Sequence, residues 1–197
     1  MNNITPAKYY KLSLDDSNEP GMVIVSKEVH GFNAHKFSEG IRIENWPENV
    51  KFYVSGDNNE DLLIGGFAWY LVSDRVRIAF EECNVEDVQF LPVIFLNTDN
   101  GERVGCYWVL HVLSELEALN WERTRWLYPE KRDIEQYPIL NIIKEVFQED
   151  VVKDVDIFRL RVKDQVSTII YISERLKRCL ENAEATIGFK FIPVTII

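Results

Sequence analysis

The stretch Tyr70-Leu71-Val72-Ser73-Asp74-Arg75 decides the fold, because it returns as Ile170-Tyr171-Ile172-Ser173-Glu174-Arg175. Downstream, Phe90-Leu91-Pro92-Val93 returns as Phe191-Ile192-Pro193-Val194. Between these anchors Val76, Ala79, Phe80 and Cys83 fall at i, i+3, i+4 and i+7, and Leu176, Cys179, Leu180 and Ala183 fall at the same offsets. That spacing makes one apolar stripe on an α-helix. Ser73 and Ser173 stand where an N-cap belongs, with a hydroxyl able to accept from an orphaned backbone N–H. Asp74 and Glu174 follow in the first turn, where the helix dipole favours a carboxylate. Proline removes a ladder donor, so Pro92 and Pro193 are expected at a strand edge or bulge.

The expected fold is α+β. A mixed or antiparallel sheet carries two pseudo-repeated strand–helix–strand units, at about 70–96 and 169–197, beside a β-rich N-terminal part, 1–69. No Pro-, Gly- or Ser-rich linker divides the chain, so residues 1–197 are expected to form a single domain, with 70–197 as its duplicated part. Short strands are expected at 9–14, 22–25 and 50–54, and a hairpin about the Asn97–Gly101 turn. A helix is expected from about Pro138 to Phe147, with Ile139, Leu140, Ile143, Val146 and Phe147 on one side.

Hydrophobic residues are 46% of the chain and aromatics 12%, enough to build a core and to argue against disorder. Asp plus Glu is 32 against 22 for Lys plus Arg, a net charge of -10. Nucleic-acid binding through the phosphate backbone needs cations on the protein, so that class is set aside. A basic protein partner would be steered in by the same charge. The opening Met1-Asn2-Asn3-Ile4-Thr5-Pro6-Ala7-Lys8 lacks a signal peptide's apolar run, and no stretch reaches the roughly 18 apolar residues of a membrane span. A cytoplasmic protein without membrane contact is the expectation. Cys83, Cys106 and Cys179 form no close pair in sequence, and read as small core residues in a reducing compartment.

Motifs of catalysis are absent: there is no nucleophile elbow, dinucleotide fingerprint, phosphate loop or zinc-protease helix motif. His30, His35 and His111 lack ligand spacing, so no metal and no cofactor is expected. Asp57, Asn59 and Asp61 resemble the start of a calcium loop, but Leu62 replaces its glycine and Ala68 its bidentate glutamate. A solvated loop is the reading there. Glu81-Glu82 and Glu86-Asp87 read as a wet helix face and not as acid–base catalysts. The segment Trp121-Glu122-Arg123-Thr124-Arg125-Trp126-Leu127-Tyr128-Pro129 concentrates the residue types that dominate binding hot spots, although buried tryptophans under a loop would read the same way.

With these features in place the chain resembles the Imm11 family of bacterial immunity proteins, formerly a domain of unknown function. The resemblance rests on Tyr9-Tyr10-Lys11-Leu12, on Leu71-Val72-Ser73-Asp74-Arg75 with Val88-Gln89-Phe90-Leu91-Pro92-Val93, and on Tyr107 to Leu113. Ile157-Phe158-Arg159-Leu160, Ile170 to Leu180 and Gly188-Phe189-Lys190-Phe191-Ile192-Pro193 complete it. The resemblance implies a polymorphic toxin system, in which this protein neutralises a toxin encoded by a neighbouring gene by binding it. It implies no enzyme activity and no catalytic residue. Its acidity fits a basic, nuclease-type toxin domain. The candidate contact residues are Trp121, Arg123, Arg125, Trp126 and Tyr128, with Glu81, Glu82, Glu86 and Asp87. The alternative is a small-ligand binder or enzyme with its site between the two units.

Overall fold

A computed structural model describes residues 8–15, 21–30, 32–56, 59–65, 69–127, 139 and 142–197. The first half forms β1 (Tyr9–Leu14), β2 (Met22–Glu28), a 3-10 helix (Ala34–Glu39), β3 (Lys51–Gly56), β4 (Leu62–Ile64), β5 (Tyr70–Ser73), α1 (Asp74–Glu82), β6 (Val88–Asn97) and β7 (Tyr107–Val112). The second forms β8 (Glu115–Leu116), β9 (Arg125–Trp126), β10 (Ile142–Lys144), β11 (Val146–Phe147), α2 (Glu149–Val152), β12 (Ile157–Val162), β13 (Gln165–Ser173), α3 (Glu174–Asn182) and β14 (Phe189–Ile196). The fold is mixed α+β and mostly sheet.

Both serines cap the helices they precede. Ser73 Oγ accepts from the Val76 N–H at 3.4 Å, and Ser173 Oγ accepts from the Leu176 N–H at 3.1 Å. Nine-residue helices are too short to stand alone, so their buried stripes hold them. Val76, Ala79 and Phe80 are buried on α1, and Leu176 and Leu180 on α3.

Among the described residues the strands make two six-stranded sheets, ordered β2-β3-β6-β7-β5-β4 and β11-β14-β1-β13-β12-β8, and a two-stranded one of β9 and β10. The two strand–helix–strand stretches therefore lie in different sheets. In each, an antiparallel strand sits between the pair: β7 between β5 and β6, and β1 between β13 and β14. Pro92 lies where β3 has not yet begun to pair with β6, since that register starts at Ile94. Pro193 likewise precedes the β11 pairing at Thr195 and Ile196.

Side chains alternate between the faces of each sheet. Tyr70 and Val72 of β5, and Ile170 and Ile172 of β13, enter one central cluster together with both helices. Leu71 faces a second cluster under the 3-10 helix, with Phe37, Phe52 and Trp69. Tyr171 faces a third, with Tyr9, Phe147 and Phe158. These strands are covered on both faces, which is why they read as continuous apolar runs.

Three expectations are corrected. Residues 142–144 and 146–147 of the expected helix are the strands β10 and β11, while Pro138 and Leu140 lie outside the described residues. Pairing of Val146 and Phe147 with Thr195 and Ile196, and burial of both, Phe147 in the third cluster, outweighs the helical spacing. Asp61 is no solvated loop residue: it is fully buried beside Ser73 and Arg75. The cysteines are not three inert core residues either. Cys83 and Cys179 form a disulfide with a Cα separation of 6.5 Å, and Cys106 is exposed. Packing α1 on α3 brings together two positions that lie 96 residues apart in sequence.

A buried polar cluster fastens the 3-10 helix and its exit to both sheets. Arg159 donates from Nη1 to the Phe37 carbonyl and from Nη2 to Glu115 Oε1, the latter at 2.7 Å. His111, on β7, donates from Nε2 to the Ile41 carbonyl at 2.9 Å. Burial, with Arg159 and Arg42 nearby, holds this imidazole below its ordinary value of 6.5, against the opposing pull of the Ile41 carbonyl. Below about pH 6.5 the unfolded chain therefore takes up a proton that the folded one refuses, and stability falls as pH falls. The melting temperature is expected to drop between about pH 7 and pH 5, and His111→Gln to flatten that slope. An unchanged slope in the variant would assign the pH dependence to other groups.

Candidate protein-binding site

The two stretches singled out by sequence lie at opposite ends of β12. Six residues of strand separate them, about 17 Å at ~3.3 Å per residue.

At the far end, Ala118 and Leu119 are buried and the chain then turns outward. Asn120 Oδ1 accepts from the Arg123 N–H at 3.0 Å, and the Thr124 N–H donates to the Asn120 carbonyl at 2.9 Å. This turn projects Trp121, which is 44% exposed, onto Trp126, with ring centroids 5.1 Å apart and planes at 24°. Buried Thr124 accepts the Val146 N–H and anchors the segment from below. Arg123 and Arg125 are exposed. Trp121 also walls a cleft of about 200 Å³ with Leu119, Arg161 and Lys163. Tyr128 lies outside the described residues.

At the near end, Glu86 and Asp87 leave α1 and face Asp154 and Asp156 across a cleft of about 160 Å³, with Asn84, Val85 and Ile157 completing its lining. Glu82 is exposed beside it in sequence. Glu81 is held by its own helix, pairing with Arg77 at 2.6 Å. Asp156 accepts from Ser173 Oγ at 2.7 Å and from Arg175 Nε at 2.9 Å. Burial works to raise its pKa, but Arg175 and Ser173 together hold the carboxyl below the usual range. It therefore stays charged where a free aspartate begins to titrate. Its stabilising contribution is present above the unfolded value near 3.8 and fades as pH falls through the lower folded value. Among the described residues no group of three or more His, Cys, Asp or Glu is arranged to hold a metal ion. Among those residues, too, no helix is long and apolar enough to cross a membrane.

A model of the Imm11 immunity protein family matches residues 6–195. The chain belongs to the Imm11 family. No curated protein matches it. The family match spans both stretches, the first strand–helix–strand segment, and the second up to residue 195.

In this Imm11 chain the reading of sequence missed Asp61, Asp156 and the cysteine pair. Ser73 donates to Asp61 Oδ1 at 2.5 Å and Arg75 Nε to the same oxygen at 3.1 Å. Ser173 and Arg175 bind Asp156 in the same way. The recurring Ser-acid-Arg signature is thus two residues of a three-residue knot, whose third member lies upstream. Recurrence of the arginine was the available signal, since a helix cap needs only the serine.

Proposed function

We propose that this chain neutralises a cognate bacterial toxin by binding it through a protein–protein interface, and that the toxin is a basic, nuclease-type domain encoded by a neighbouring gene. The family match over residues 6–195 carries this reading. The net charge of -10 and the carboxylate-lined cleft support the basic partner. On this reading Trp121 and Trp126 anchor the complex, Arg123, Arg125 and Tyr128 add further contacts to the toxin, and Glu81, Glu82, Glu86 and Asp87 steer the approach. A separation of about 17 Å lets both stretches fall within one interface of roughly 800 Å² per partner. We read residues 1–197 as one domain, because β1 lies inside the sheet of the C-terminal half and one core cluster draws on both sheets. We infer further that 70–96 and 169–197 are two copies of one unit, a reading supported by their shared caps and aspartate knots. Binding would need no catalytic residue and no cofactor, and would occur in the cytoplasm.

The alternative, a ligand or enzyme site between the units, has less support. Both helices pack there, and the cleft of about 160 Å³ is below the roughly 300 Å³ of ordinary small-molecule sites.

The test is co-expression with the product of the adjacent gene, reading growth rescue and co-purification. Association should slow with added salt. Trp121→Ala and Trp126→Ala are each expected to weaken the complex by about 2 kcal/mol, roughly 30-fold, while leaving the fold intact. Unchanged affinity in both folded variants would move the interface away from this segment.

A further inference from the structure

We propose that the Cys83–Cys179 disulfide is a redox clasp that sets the grip of the acidic cleft on a basic partner, a proposal that rests on the binding role assigned to that cleft. The two junctions between the strand–helix–strand stretches are built differently. At one, the Asp61 and Leu62 N–H groups donate to the Ile187 carbonyl at 2.8 and 3.2 Å, and the Ile187 N–H returns a bond to Asp61 Oδ2 at 3.0 Å. Backbone closes that junction. At the other, the positions after α1 are Glu86 and Asp87, and the wall opposite carries Asp154 and Asp156. Among the described residues no backbone bond joins these walls. Here Arg175 and the cysteine pair tie the walls instead.

Cys83 carries this tie. It ends α1 and directly precedes the wall formed by Asn84 to Asp87. Its sulfur is bonded to Cys179 in the middle of α3. Its carbonyl accepts from Arg175 Nη1 at 2.8 Å, and Arg175 holds Asp156 of the opposite wall through Nε and Nη2. The exit from α1 is stiff. Asn84 is left-handed at φ 53°, and Asn84 and Val85 bond back to Glu81 and Phe80. Movement of Cys83 therefore carries the wall with it. At the matching positions of the closed junction stand Ala79 and Ala183, which pack in the central core and form no covalent tie. Both cysteines are partly exposed, within reach of small thiols.

The chemistry is thiol–disulfide exchange. A low-molecular-weight disulfide accepts two electrons and leaves as two thiols, while Cys83 and Cys179 lose two protons and join. A thiol reductant reverses the step through a mixed disulfide. In the cytoplasm, where thiols are kept reduced, a disulfide of this kind is transient and responsive. Oxidation fixes the end of α1 to α3 and with it the spacing of the cleft walls, and reduction leaves the Arg175 bonds alone to hold them.

The test uses the full chain equilibrated with glutathione disulfide or with dithiothreitol. Alkylation and intact mass should count one reactive cysteine, Cys106, after oxidation and three after reduction. Anisotropy of a labelled octa-arginine peptide should report about tenfold tighter binding by the oxidised form. Cys83→Ser should bind like the reduced form under both conditions, and Glu86→Gln with Asp87→Asn should erase the difference. Equal affinity in the two confirmed redox states overturns the clasp, as does absence of peptide binding in both, or three reactive cysteines under glutathione disulfide. Growth rescue separates the two readings. Rescue of wild type and Cys83→Ser alike, with equal peptide affinities, removes the clasp and keeps the immunity role. Redox-dependent peptide binding without rescue does the reverse.

Discussion

Asp61→Ala is expected to lower stability by about 3–4 kcal/mol, the larger of two losses in a matched pair. Asp61 is fully buried and accepts from Ser73 Oγ at 2.5 Å, Arg75 Nε at 3.1 Å and the Ile187 N–H at 3.0 Å. Alanine leaves a buried hydroxyl and a backbone N–H without their acceptor, and the strength of bonds to a charged group is lost as well. Arg75 recovers part of the cost, since its side chain is 47% exposed and turns to water. Asp156 accepts from the same residue types, but its side chain is 25% exposed and no backbone N–H of the other half is seen donating to it among the described residues. Asp156→Ala should therefore cost about half as much. Urea unfolding of the two variants checks this, with equal small losses as the result that removes the buried-knot account.

Phe158→Ala should cost about 3–5 kcal/mol, a fall in melting temperature on the order of 10 °C. The ring is fully buried, 5.8 Å from Tyr9, 5.5 Å from Phe147 and 5.4 Å from Tyr171. These neighbours come from three separate strands, which cannot collapse together into the space an alanine leaves. Phe158 faces the third cluster while the disulfide bridges the two helices, so this loss should be similar in the oxidised and reduced protein. A loss present in one redox state alone would mean that the clusters are coupled through the helices.

How far the sequence could be read depends on which residues carried local information. The two helices were legible because a Ser N-cap, an acidic first turn and a four-residue stripe all act within ten residues of chain. The hairpin of β6 and β7 was legible from its polar turn, and the family from the order of its strand motifs. The segment 142–147 was misread because its apolar spacing suits a helix, whereas its partners are β9 and the distant C-terminal strand. Trp121 and Arg125 stood out by type, and their exposure follows from a turn that Asn120 makes locally. Asp61 and Asp156 carried no such mark, being ordinary acids in polar stretches until the fold places a serine and an arginine on each.

The amino-acid sequence by itself thus determined the capped helices, the apolar strands beside them, the acidity and the membership of an immunity family, because those properties are set by neighbours in the chain or by the sum of its charges. Only the tertiary structure decided that the two strand–helix–strand segments occupy different sheets, that Glu86 and Asp87 face Asp154 and Asp156, and that Cys83 meets Cys179. Each of the last two is a meeting of residues about 70 to 100 positions apart. It exists because burying two apolar helix stripes against one core leaves the chain few other ways to pack.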